Sequence, residues 1–105
     1  MNIKDYQQFT NTVALDSAKC SEYLFPGLAA EAGEVAQVYA KSVRDDVPRD
    51  EYISALIKEL GDVLWFVSQL CNHHHLDIER VLQANVDKLT SRKERNVISG
   101  KGDNR

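Results

Sequence analysis

The chain has 105 residues, 43% of them apolar and 28% charged, with a formal net charge of −3. That composition belongs to one soluble-type domain with a modest core, neither fibrous nor disordered. The longest apolar run, residues 63–71, is interrupted by Ser68 and Gln69 and is far shorter than the roughly 20 residues of a membrane span.

Charge is unevenly spread. From Lys88 onward, Lys88, Arg92, Lys93, Arg95, Lys101 and Arg105 outnumber the acids Glu94 and Asp103, so an acidic body carries a basic end. Such an end suits nucleic acid, and a segment this short suits the phosphates of one nucleotide equally. The first residues lack the basic start and apolar stretch of a secretory signal. Cys20 and Cys71 form no paired motif, so a reducing cytoplasm with free thiols is the expected setting.

The first predicted helix covers residues 3–19, with Ile3, Tyr6, Phe9 or Thr10, and Val13 at helical spacing. The second is predicted over 26–44, because Pro26 suits a first helical turn and disfavours helix in the residue before it. Its apolar stripe is Leu28, Ala32, Val35, Val38 and Tyr39. Glu31 falls inside that stripe and Glu34 at its edge, an unusual place for a carboxylate that has no partner.

A polar linker, 45–49, precedes a third helix over 50–74, which Asp50 is placed to cap. Ile53, Leu56, Ile57, Leu60, Val63, Leu64 and Val67 make its inward arc, with Glu59 on the border, Asp62 further round, and Trp65 and Phe66 outside it. An arc this broad predicts burial on two sides, within a bundle or against another copy of the chain. His73, His74 and His75 close the helix, where protonated imidazole is favourable. Successive helical residues diverge by about 100°, so the three do not converge on one ion.

Asp77 caps a fourth predicted helix, 78–94. Its stripe is Ile78, Val81, Leu82, Asn85, Leu89 and Arg92, with Lys88 beside it. The glycine-rich end, 99–105, reads as a flexible basic tail, and no strand-like alternation occurs. The expected fold is therefore all-α: four main helices forming a bundle over residues 1–98, completed by oligomerisation.

Chemistry concentrates in two carboxylate pairs, Glu31/Glu34 and Glu59/Asp62. Residues three apart share a helix face, so each pair can address one point. Solvated flank acids would account for any single member, whereas four together call for a divalent cation. Hard oxygen ligands suit Mg²⁺, with Mn²⁺ as a substitute, and Mg²⁺ accepts carboxylates, waters and substrate phosphates. Asn85, Lys88 and Arg92, at spacings of three and four, form a row of donors for those phosphates. A di-iron bundle would need Glu-x-x-His repeats, and there are none.

Glu31-x-x-Glu34, a gap of 24 residues, Glu59-x-x-Asp62 within Lys-Glu-Leu-Gly-Asp-Val, and Asn85-x-x-Lys88-Leu89-x-x-Arg92 together resemble the MazG-like nucleoside triphosphate pyrophosphohydrolases of the all-α NTP pyrophosphatase superfamily. The likeness covers about residues 24–105, including the final Gly-Asp-Asn-Arg. It implies a helical homodimer or homotetramer that uses Mg²⁺ to hydrolyse (deoxy)nucleoside triphosphates between the α and β phosphates, releasing the monophosphate and pyrophosphate in nucleotide-pool control. It also implies metal ligation by Glu31, Glu34, Glu59 and Asp62, phosphate contacts by Lys88 and Arg92, and Asn85 beside them. Many relatives open the first block with two adjacent acids, where this chain has Ala30-Glu31. Tyr39 and Trp65 could stack on a base or form subunit contacts. The competing reading is a catalytically inactive helical oligomerisation or regulatory module with a vestigial acidic cluster.

Overall fold

Helix ends follow local hydrogen-bond chemistry throughout the chain. The computed structural model describes all 105 residues as four α-helices and no strand: α1 Ile3–Val13, α2 Ser21–Arg44, α3 Arg49–His73 and α4 Ile78–Glu94, with a 3₁₀ turn at Asp16–Ala18. Asn2 caps α1 by accepting from the Asp5 N–H at 2.8 Å, and Asp77 caps α4 by accepting from the Glu79 N–H at 2.9 Å. Such caps satisfy backbone donors that the first turn leaves free. Three helices then stop in the same way, each with a non-glycine residue in the left-handed region: Asp46 (φ 51°), His75 (φ 56°) and Asn96 (φ 59°). In each case the next N–H reaches back to an orphan carbonyl: Val47 to Ser42, Leu76 to Cys71 and Val97 to Arg92. This is the six-to-one closure of a Schellman motif. The histidine run thus ends α3, as expected, and His75 supplies the left-handed residue itself.

Two predicted boundaries move. α1 stops at Val13 instead of residue 19, because Asp16 and Ser17 lie in a tight turn closed by Ala18 N–H to Leu15 O and Lys19 N–H to Asp16 O. Such short polar side chains favour turns over helix interiors. α2 begins at Ser21 rather than Pro26, so Pro26 sits inside it. An interior proline costs about 3 kcal/mol through its missing N–H and ring clash. The added turn sets against that cost the complete burial of Leu24 and the packing of Tyr23 on Phe66, ring centroids 5.7 Å apart. α3 begins at Arg49, with Pro48 in the cap position and Asp50 within the first turn rather than capping it.

α2 and α3 form an antiparallel hairpin across the short linker 45–48, and this is the main packing of the fold. Gly27 faces Phe66 so closely that any β-carbon at position 27 would overlap the Phe66 ring. Phe66, expected outside the main inward stripe, is buried here against α2.

α1 lies across α3 through polar side chains. Gln7 and Thr10 are buried, Ile3 and Tyr6 half-buried, and Phe9 and Val13 exposed, so the expected stripe runs through Thr10 rather than Phe9, stops short of Val13, and has Gln7 beside it. Gln7 Nε2 donates to Asn72 Oδ1 (2.9 Å) and Leu76 O (2.8 Å), and its Oε1 accepts from the Ile78 N–H (3.0 Å). Gln69 Nε2 donates to Thr10 Oγ1 (2.9 Å) and Asn11 Oδ1 (3.0 Å). Buried amides are tolerated because they are answered in this way.

α4 makes its main contact with α1. Of its expected stripe only Ile78 and Arg92 are buried; Val81, Leu82, Asn85 and Leu89 are exposed. The stripe is amphipathic, but no helix of the same chain covers it. The radius of gyration, 16.6 Å, exceeds the roughly 13 Å of a compact domain this size. Cys20 and Cys71 are free thiols. No helix is long and apolar enough to cross a membrane.

Candidate metal centre

The hairpin register brings the acids together. Equal steps away from the loop along α2 and α3 place Glu34 opposite Glu59, then Glu31 opposite Asp62, and further on Gly27 opposite Phe66, the contact already described. Carboxylate oxygens of Glu31, Glu59 and Asp62 all lie within 4.8 Å of one another. Glu31 and Glu59 are half-buried and Asp62 is exposed. Glu34 is exposed and stands outside this tight group; with Glu59 it lines an adjoining cleft of about 350 Å³.

No basic side chain neutralises the four acids. The salt bridges of the chain engage Asp16, Asp45, Asp77 and Asp103 instead. Two unit charges about 4 Å apart repel by about 1 kcal/mol in bulk water and about 4 kcal/mol at an effective dielectric near 20. Glu31 registers the strain: burial, then the negative charges of Asp62, Glu59 and Glu34, push its carboxyl above the ordinary carboxylate range. Tyr6 sits at the same place, its hydroxyl donating to Gly61 O at 3.4 Å, and burial followed by the charge of Asp62 raises its phenol. Three hard oxygen donors around one point, without a counter-charge, fit a dication such as Mg²⁺.

The sequence matches the MazG nucleotide pyrophosphohydrolase domain over residues 20–97. The chain belongs to the MazG family. It is also similar to the "Gene 37 protein" of Mycobacterium phage L5, at 46% identity over 92 residues, which covers 86% of this chain and 81% of that protein. No solved structure matches. The all-helical fold is consistent with MazG membership.

The donor row is placed elsewhere in the protomer. Asn85 is exposed on α4, whose principal neighbour is α1 rather than the acidic hairpin. Lys88 Nζ donates to Asp103 Oδ1 at 3.1 Å. Arg92 is buried, and its Nη2 donates to the Asp103 backbone oxygen (2.6 Å) and to Asp103 Oδ1 (3.1 Å). Hydrogen bonds from Lys88 and Arg92, then their charges, hold the Asp103 carboxyl below its ordinary range. Tyr39 is exposed and Trp65 half-buried, packed edge-on to Phe66 with centroids 5.0 Å apart.

Sequence reasoning passed over Gln37, Lys41 and Tyr52, which line the cleft beside Glu34 and Glu59. A signal was present. Gln37 and Lys41 follow Glu34 at steps of three and seven, the spacing of one helix face.

Proposed function

We propose that this protein hydrolyses nucleoside triphosphates between the α and β phosphates. The observation that carries this reading is the convergence of Glu31, Glu59 and Asp62 within 4.8 Å, none of them in a salt bridge with a basic side chain, in a member of the MazG family. These three residues would hold a divalent cation such as Mg²⁺, with Glu34, one turn further along α2, available as a further oxygen donor. Bound there, the ion supplies charge neutralisation for the polyphosphate and acidifies water.

The residues of the chain perform the remainder. With a cation between them, the acids would position the reacting end of the substrate at the hairpin, which makes attack effectively unimolecular. A water oxygen bonds to the α-phosphorus, the bond from that phosphorus to the α–β bridging oxygen breaks, and pyrophosphate departs with the bridging oxygen. The water's proton passes to solvent through the exposed side of Asp62. Lys88 engages the negative charge of the phosphates, with Asn85 beside it and Arg92 adding its positive charge from behind.

A second copy of the chain completes the fold in this reading. Ile57, Leu60 and Leu64 on α3, and Val81, Leu82, Val86 and Leu89 on α4, are large apolar side chains left exposed in two stripes. Contiguous apolar surface of this kind marks an association site. The assembly is a homodimer or a pair of dimers.

The test is a panel of canonical and modified nucleoside triphosphates with Mg²⁺, with products read by phosphorus NMR. Monophosphate plus pyrophosphate is expected. Orthophosphate alone, or no product from any nucleotide at saturating metal, would overturn the reading and favour an inactive helical module.

A further inference from the structure

The carboxyl end of the chain forms an ordered knot on α4. Arg105 Nε donates to Val97 O (3.1 Å) and Nη2 to Ile98 O (2.7 Å), Nη1 reaches Gly102 O, and Arg95 Nη2 donates to Arg105 O at 2.7 Å. The path needs Gly100 (φ 144°) and Gly102 (φ 84°), conformations that L side chains rarely adopt. A β-carbon at Gly100 would also approach Arg105 Cδ at 3.0 Å. The knot delivers Asp103 to the two cations of α4.

Those cations are not equivalent. The Arg92 side chain is 6% exposed and its Nε is buried without a partner, so its guanidinium is committed to the tail. Lys88 is 38% exposed, and its ammonium pairs with Asp103 Oδ1. Asp103 itself is 81% exposed, so its carboxylate contributes charge and direction rather than packing. Two cations and one anion leave a net positive charge, and its reachable part is the Lys88 ammonium. A lysine side chain carries about 2 kcal/mol of rotamer entropy. A partner that restricts it beforehand reduces what a ligand must order on binding.

We infer that the tail is a working part of the substrate site, with Asp103 as a positioning residue that aims Lys88 at a substrate phosphate while Arg92 anchors the tail. This rests on the hydrolase reading above and deepens it. Arg92 acts chiefly through the tail, and Lys88 makes the direct phosphate contact. The opposing possibility is that Asp103 occupies the phosphate position and must be displaced.

The experiment compares wild type, Asp103→Ala, Asp103→Asn and a chain ending at Ile98. Measured are steady-state turnover with Mg²⁺ and calorimetric binding of Mg²⁺-tripolyphosphate, a probe that needs no catalysis. Asp103→Ala leaves the Arg92 bond to the backbone oxygen in place, so the tail stays folded; amide exchange checks this. Expected is a roughly tenfold rise in KM and in the tripolyphosphate Kd, with kcat within about twofold. Asn, whose oxygen still accepts, falls between Ala and wild type, and truncation costs at least as much as Ala. A merely structural tail would lower Tm and the active fraction while leaving KM in place, which overturns the inference. Tighter binding or faster turnover in Asp103→Ala or the truncated chain also overturns it, in favour of self-occlusion. Wild type that binds tripolyphosphate but releases no pyrophosphate defeats the hydrolase reading alone. Unchanged tripolyphosphate affinity in Asp103→Ala defeats the positioning role alone.

Discussion

Two polar clusters lie on α3, about two turns apart, and they are built on opposite plans. At Gln69 and Asn72 neutral amides meet Gln7, Thr10 and Asn11 in a network whose donors find acceptors within 3.3 Å. At Glu59 and Asp62 like charges meet Glu31, and no salt bridge answers them. The first cluster is closed and ties α1 to the turn before α4. The second is open, and in the proposed reading a bound cation would complete it. Polarity answered within the chain is structural, and polarity left unanswered at this density makes the hairpin the candidate ligand site.

The largest effect that would break this comparison is chemical. Glu59→Gln or Asp62→Asn should lower kcat by about 100- to 1,000-fold, corresponding to loss of several kcal/mol of metal-derived stabilisation. The circular dichroism of the helices should be unchanged and Tm equal or higher, because a repulsion has been removed. Retained activity in both variants would contradict the assignment.

The closed cluster should respond in the opposite way. Gln7→Ala leaves the Leu76 carbonyl, the Ile78 N–H and an Asn72 oxygen short of partners, and should destabilise by about 2–3 kcal/mol. Urea unfolding measures this, and Mg²⁺ affinity of the folded fraction should not move. A large shift in metal affinity would show that the two clusters are coupled.

Next comes pH. The carboxyl of Glu31 is raised in the folded chain, so the metal-free fold binds an extra proton there relative to the unfolded chain. Stability present below the ordinary glutamate pKa is lost as pH rises through the raised value. Thermal melts in EDTA should therefore fall across that window, and Mg²⁺, which favours the ionised carboxylate, should cancel the fall. Glu31→Gln should flatten the EDTA profile. A flat wild-type profile would show that the acids do not repel.

The smallest effect sharpens the comparison from outside both clusters. His75 closes α3 in the left-handed region, and His75→Gly should raise stability by about 0.5–1 kcal/mol without altering turnover.

Three of the acids were legible because helix spacing is rigid: once residues 31, 59 and 62 lie on two antiparallel helices, their shared face follows from the sequence, while Glu34 stands outside the tight group. α4 was legible from Asp77 to Glu94 for a similar reason, with an acid cap at one end and a lost stripe at the other. α1 was legible only in part. Ile3, Tyr6 and Thr10 lie on the expected stripe, but Gln7 was missed, and an amide becomes a core residue only when partners distant in sequence, here Asn72 and Leu76, answer it. Pro26 misled because its local penalty is outweighed by burial of Leu24, a tertiary effect. The partners of Lys88 and Arg92 were hidden too, since nothing in local periodicity reveals that Asp103 folds back between them.

The most direct test of the central claim is calorimetric titration of Mn²⁺ or Mg²⁺ into the wild-type protein and Asp62→Asn, without nucleotide. Saturable binding at the hairpin, weakened at least tenfold by the substitution, is the predicted result. Equal affinity in the two proteins, or no binding to either, would contradict it.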